Sequence, residues 1–207
     1  MLEDRNKVPN EVLLECGLEL MNQNGRPLTK MQTKGRAMIY TMPGPGKQTV
    51  RIRTCNDHLL VVLADRDAED AKLNIEGTDF ILIVMPTTPR SHGPVVGFLV
   101  PSKIVAEAAR STHREWRAGN PNTKGENRTW NLWFSDNGPS KASGFARKWS
   151  NYLLNGQVTT QSPGVANLQE QQTAPAKLGE IIAVAKSQIA EAAGVTPNAV
   201  HISIDLS

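Results

Sequence analysis

The strongest constraint on the fold is the run Asp79 to Met85 (DFILIVM), which stops at the turn-forming stretch Pro86 to Gly93 and is followed by a second apolar run, Val95 to Val100. The first run is too short for a good helix and rich in β-branched residues, so it reads as a buried strand, with the second as its neighbour. Pro101-Ser102 breaks the second strand, and Ser102 is placed to cap a helix reaching about Ala118. At 100° per residue, Lys103, Glu107, Arg110, Arg114 and Arg117 fall on one stripe of that helix. Ile104, Val105, Ala108, Ala109, Thr112 and Trp116 fall opposite. The helix therefore covers a sheet with one face and presents a basic edge to water. The expected fold class is α/β, a mixed central sheet flanked by helices.

The flanking sequence supplies further elements. Asn10 is placed to cap a helix from Glu11 to Asn22, and Asn24-Gly25 ends it. Ala37 to Met42 and Gln48 to Cys55 read as strands of a hairpin around Pro43-Gly44-Pro45-Gly46. In the second of these, Val50, Ile52 and Thr54 alternate with Arg51 and Arg53, giving one apolar and one basic face. Leu59 to Ala64 is a further apolar strand, Asp65 to Ala71 a charged loop, and Arg128 to Phe134 a strand with Trp130, Leu132 and Phe134 on one side. Ser143 to Leu154 reads as a short helix carrying Phe145, Trp149 and Tyr152.

The domain reading is a core over 1–155, a linker over 156–175, and a helix–strand appendage over 176–207. The linker (GQVTTQSPGVANLQEQQTAP) has no aromatic residue and almost no charge, so it buries too little to order itself. Beyond it, Pro175 opens a helix closed by Gly194, and Val200, Ile202, Ile204 and Leu206 alternate with polar residues as in a half-buried strand. Such a unit is too small to stand alone. It docks on the core or pairs with a second chain, giving a homo-oligomer.

The 207 residues contain no run of eighteen apolar residues and no signal-peptide core, so a cytoplasmic location off the membrane is expected. Cys16 and Cys55 either pair or remain thiols, as a reducing cytoplasm favours. Two cysteines and four scattered histidines make no zinc spacing.

Charge is distributed in blocks. Arg26, Lys30, Lys34, Arg36, Lys47, Arg51 and Arg53 form a stretch without an acid. Asp57, Asp65, Asp67, Glu69, Asp70, Glu76 and Asp79 then dominate, and Lys103 to Lys148 is basic again. Such blocks belong either to solvated faces or to a polyanion-binding surface.

No standard catalytic motif fits well. Around Gly46-Lys47, a phosphate loop would need Gly five positions before Gly46, where Thr41 stands, and Ser or Thr after the lysine, where Gln48 stands. There is no Gly-x-Ser-x-Gly elbow, and His58, His92 and His113 read as structural or solvated. Asp70-Ala71-Lys72 matches an acid-x-Lys nuclease signature, with Asp57 or Asp65 as a second acid. Two carboxylates would hold Mg²⁺ while the lysine activates water. That signature belongs on a buried strand, whereas Asp65 to Lys72 reads as a loop.

The order of elements resembles the PD-(D/E)XK nuclease-like superfamily, in particular its resolvase-like members, over roughly residues 10–118. The resemblance is carried by Val50-Arg51-Ile52-Arg53-Thr54, by Thr78 to Val84, and by Phe98-Leu99-Val100-Pro101-Ser102. It implies a restriction-endonuclease-like core. Where that superfamily places its acid-x-Lys, this chain has Arg51-Ile52-Arg53, which implies a site without metal chemistry that stays basic.

A second candidate is the late basic block, where Arg110, Arg114, Arg117, Lys124, Arg128, Arg147 and Lys148 interleave with Trp116, Trp130, Trp133 and Trp149. Cations neutralise phosphates and exposed aromatics stack on bases, while buried tryptophans merely fill a core. The leading expectation is a non-catalytic DNA-associated protein without cofactor, binding nucleic-acid backbone through Arg51, Arg53, Lys103, Arg110, Arg114, Arg117, Lys124 and Arg128. The alternatives are a Mg²⁺-dependent nuclease using Asp57, Asp65, Asp70 and Lys72, and an assembly module whose C-terminal strand joins a partner's sheet.

Overall fold

The computed structural model describes residues 7–32, 38–44, 46–136, 138 and 142–160. The appendage over 176–207, and the linker after residue 160, lie outside the described residues. The element order is α1 (Asn10–Gln23), β1 (Thr29–Lys30), β2 (Ile39–Met42), β3 (Gln48–Thr54), β4 (Leu59–Leu63), β5 (Phe80–Pro86), β6 (Pro94–Pro101), α2 (Ser102–Gly119), β7 (Thr129–Trp133), α3 (Phe145–Lys148), a 3₁₀ turn (Ser150–Tyr152) and β8 (Val158–Thr159). The chain is α/β, with a mixed main sheet in the order β1-β2-β3-β5-β6-β8. Only the β3–β5 pairing is parallel.

The Asp79 to Met85 run forms β5, and the sheet shows why it has no polar alternation. Leu82 and Val84 pack with Leu13, Cys16, Leu20 and Met21 of α1. Ile81, Ile83 and Met85 point the other way, into a core with Val105, Ala106 and Ala109 of α2. A strand covered on both faces reads as continuously apolar. On the α1 side the approach is close: a Cβ on Gly17 would lie 2.6 Å from Val84 Cγ2, so only glycine fits there without a shift.

Beyond that second core lies a separate ribbon of β4 and β7, antiparallel, with Leu60 opposite Leu132 and Val62 opposite Trp130. All four side chains are buried in the core. Leu59 to Ala64 is a strand, as its apolar run predicts, but β4 pairs with β7 in the ribbon and not with the main sheet.

Both expected helix caps are replaced. Pro9 and Pro101 occupy the cap positions without side-chain capping bonds. Asn10 Oδ1 instead accepts from Thr54 Oγ1 at 3.1 Å, and Ser102 Oγ lies 3.3 Å from Thr78 Oγ1. At α2 the first helical N–H, that of Ser102, donates instead to Asp79 O at 2.9 Å. The segment read as linker from residue 156 begins with ordered structure: β8 pairs with the start of β6, and Thr160 N–H donates to Gly93 O at 2.8 Å. Cys16 and Cys55 are buried and unpaired. Among the described residues, no helix is long and apolar enough to cross a membrane.

Candidate nucleic-acid interface

Alternation along β3 turns Val50 and Ile52 toward α1 and puts Arg51 and Arg53 on the other face, in register with Ile81 and Ile83 of β5. The β2–β3 pairing ends at Ile39 opposite Arg51, so the last three residues of β3 run on past that ladder. A cleft of about 300 Å³ opens there, lined by Arg51, Arg53, Thr54, Leu14, Met38, Leu59 and Val61, among others.

Each arginine is half-buried and anchored to a backbone carbonyl. Arg51 Nη1 donates to Asn74 O, and Arg53 Nη2 donates to Val61 O at 2.9 Å. Arg51 Nε is buried and has no hydrogen-bond partner among the described residues. No carboxylate of the described residues lies within ion-pair distance of either guanidinium. Burial pulls both below the ordinary arginine pKa; for Arg53 the Cys55 thiol opposes this and the neighbouring Arg51 charge adds to it. Burial pushes the Cys55 thiol itself up to about 12, which makes it an inert core group. Two desolvated cations without a counter-charge form a site that favours an anion.

The basic stripe of α2 has a different fate. The acidic block folds back over it as a loop. Arg110 donates to Glu69 O (3.1 Å), Ala71 O (3.0 Å) and Glu76 Oε1 (2.5 Å). Arg114 Nε bonds Glu69 Oε1 at 3.0 Å, and Arg117 grips Asp67. Asp67 also accepts from Asn127 N–H at 2.7 Å and from His113 Nε2 at 2.8 Å. Burial of Asp67 raises its carboxyl pKa, but the Asn127 and His113 hydrogen bonds and the Arg117 charge outweigh it and hold the pKa below the usual carboxylate range. Residues 67–76 thus supply a carboxylate to each of these three arginines. Arg128 pairs with Glu126, while Lys103 and Lys124 stand exposed.

Of the four residues of the nuclease alternative, Asp65 and Asp70 share Arg66 and Asp65 bonds the Lys72 backbone, while Asp57 is engaged apart from them. Asp57 pairs with Arg90, Asp70 with Arg66 at 2.7 Å, and Asp65 Oδ1 accepts from Lys72 N–H at 2.9 Å. No cluster of three or more His, Cys, Asp or Glu side chains suited to a metal ion occurs among the described residues. Asp79, at the entry to β5, is a staple between strands: its Oδ2 accepts from both Thr49 N–H and Thr49 Oγ1 at 2.7 Å. Those bonds lower its pKa.

The tryptophans divide. Trp130 and Trp149 are buried in the core. Trp116 and Trp133 are partly exposed and, with Trp130, His113 and Asn131, line a 220 Å³ cavity between α2 and β7. His113 stacks on Trp130 with centroids 4.3 Å apart and planes at 11°. The sequence reading had singled out neither Asn131 nor the Asp67–His113 pair. The alternation that buries Trp130, Leu132 and Phe134 also turns Thr129, Asn131 and Trp133 to the opposite face, so that part was readable.

Compared with known proteins, the chain matches no family model, no curated protein and no solved structure.

Proposed function

We propose that this protein binds nucleic acid without cleaving it, and that the contact with the phosphate backbone is made by Arg51 and Arg53. The observation that carries this reading is that two adjacent half-buried guanidiniums lining one cleft meet no carboxylate among the described residues. A phosphate oxygen there would take the charge-assisted bonds that the protein does not itself satisfy, including one from Arg51 Nε. The non-catalytic part rests on the same strand: the position where the resembled nuclease-like superfamily carries its acid-x-Lys is Arg51-Ile52-Arg53 here. The contribution of Arg110, Arg114 and Arg117 becomes secondary, because the acidic loop already neutralises them.

The test is the salt dependence of binding. Short single-stranded DNA is titrated at several salt concentrations against the wild type and Arg51→Gln/Arg53→Gln. Loss of two phosphate contacts should flatten the slope of log K against log salt by about 1.4, at about 0.7 per contact on a single strand. Equal slopes for the two proteins would refute the assignment. Plasmid DNA incubated with the wild type and Mg²⁺ or Mn²⁺ should stay intact, and nicking that vanishes in Asp70→Asn would restore the nuclease alternative.

A further inference from the structure

The arginine cleft and the tryptophan cavity lie on the two sides of one ribbon. Val61, whose carbonyl holds Arg53, is directly opposite Asn131, which lines the cavity. Phe134 N–H donates to His58 O and Ala64 N–H to Arg128 O, which makes Val61–Asn131 one of the close, non-hydrogen-bonded pairs of the ladder. The Val61 carbonyl therefore points away from β7, toward Arg53. The cations therefore border the β4 side of the ribbon and the tryptophans its β7 side.

The cavity itself is incomplete. His113 Nδ1 and Asn131 Oδ1 are shut off from solvent and have no hydrogen-bond partner among the described residues. Asp67 can only accept, so His113 Nε2 carries a hydrogen, and in the neutral ring Nδ1 is a lone-pair acceptor. An orphaned ring nitrogen and an orphaned amide oxygen at one aromatic cavity require a reason, since a buried polar group left unpaired is costly. A flat group that enters between the tryptophans and brings N–H donors would draw on both. Asp67, the carboxylate that His113 meets, is already paired with Arg117, which disfavours an organic cation and favours an uncharged donor.

We propose that the β4–β7 ribbon is a platform for single-stranded nucleic acid, its tryptophan cavity receiving a base with an exocyclic amine while Arg51 and Arg53 hold that strand's phosphate. The inference builds on the phosphate reading above but places a second group, the base, at a second set of residues. Duplex DNA keeps its bases stacked and paired, so only an unpaired strand offers both.

The experiment reads tryptophan fluorescence while the full chain is titrated with adenosine, with thymidine, with tetramethylammonium, with an abasic deoxyribose-phosphate oligomer, and with oligodeoxyadenylate in single-stranded and duplex form. Saturable quenching by adenosine, with thymidine and tetramethylammonium at least several-fold weaker, is the expected result. Asn131→Ala should weaken adenosine about tenfold, the loss of one hydrogen bond of about 1.4 kcal/mol. It should leave the abasic oligomer unchanged. Arg51→Gln/Arg53→Gln should do the reverse. Trp133→Leu gives an independent variant should Asn131→Ala fail to fold. Abasic oligomer binding as tight as oligodeoxyadenylate, with no adenosine quenching, would overturn the base site and leave the phosphate site standing. Adenosine quenching without abasic binding would overturn the joint platform through its phosphate half. Quenching by tetramethylammonium as strong as by adenosine would mark a cation cage and overturn the assignment of a base.

Discussion

Two groups of arginines in this molecule have opposite electrostatic settings. Arg110, Arg114 and Arg117 lie on α2 and each meets a side-chain carboxylate from residues 67–76. Arg51 and Arg53 lie on β3, are drawn further from water than a surface arginine, and meet only backbone carbonyls among the described residues. By residue type the two groups are equal, and by helical periodicity the first is the more conspicuous. The difference shows that a basic stripe becomes a binding surface only when the fold leaves its charge uncompensated. It also gives each group a different setting: the α2 arginines fasten a loop, and the β3 pair meets no carboxylate among the described residues.

The comparison breaks most sharply at Asp67, the centre of the fastened side. Its side chain is 3% exposed and takes bonds from Arg117, His113 and Asn127. Asp67→Asn should cost about 3 kcal/mol in urea denaturation, the lower part of the range for a broken buried pair, because Arg117 is 38% exposed and keeps water. The folded-state pKa of Asp67 lies below its unfolded value. Its contribution is therefore complete above the unfolded carboxylate pKa of about 3.9 and is lost as pH falls through the folded one. The wild type should lose stability along that acid limb, and Asp67→Asn should lose measurably less there. A difference between the two proteins that stays flat as pH falls below about 3.9 would show that Asp67 is not the titrating anchor.

The second break separates stability from binding. Arg110→Ala/Arg114→Ala/Arg117→Ala leaves Asp67 with the His113 and Asn127 bonds alone and should cost about 2 kcal/mol, most of it from Arg117 and Arg110. Affinity for single-stranded DNA and its salt slope should stay within about twofold of the wild type. Affinity that collapses while stability holds would reverse the two roles. On sequence alone the stripe is a basic edge turned to water; the pairs it makes turn its removal into a stability variant.

What the sequence disclosed follows from the range of the interactions involved. The β5 run, the β2–β3 hairpin and α2 are local patterns, and each was legible within a few residues of where it begins and ends. The departure of β4 into a ribbon was not. Leu59 to Leu63 is as apolar as a main-sheet strand, and its partner Trp133 to Thr129 comes some seventy residues later. The acidic loop was visible as a charge block, but its docking on α2 joins residues 34 to 50 positions apart. Composition gives the signs of two such blocks and not their contact. The candidate site was half legible for the same reason. Arg51 and Arg53 stood out by alternation on a single strand, whereas Asn131 and His113 acquire meaning only when β7 and α2 are brought together around one cavity.

The smallest expected effect is also the cleanest gauge of how the loop is held. Arg114 and Glu69 form an ion pair at 3.0 Å with side chains 60% and 68% exposed, at the open end of the network. Both partners keep water when the pair breaks, and salt screens what attraction remains. A double-mutant cycle of Arg114→Ala and Glu69→Ala should therefore return a coupling of about 0.2–0.5 kcal/mol, shrinking further at high salt. Asp67 and Arg117, one of them buried, should couple several times more strongly in the same measurement. If Arg114 and Glu69 couple as strongly as Asp67 and Arg117, the loop closes on α2 as one cooperative unit. Its exposed pairs would then share the burial of its inner ones, and the graded picture of a firm anchor with a loose margin would fail. A coupling near zero for the outer pair beside a large one for the inner pair would fix the clamp at Asp67 and leave Arg114 as a surface charge.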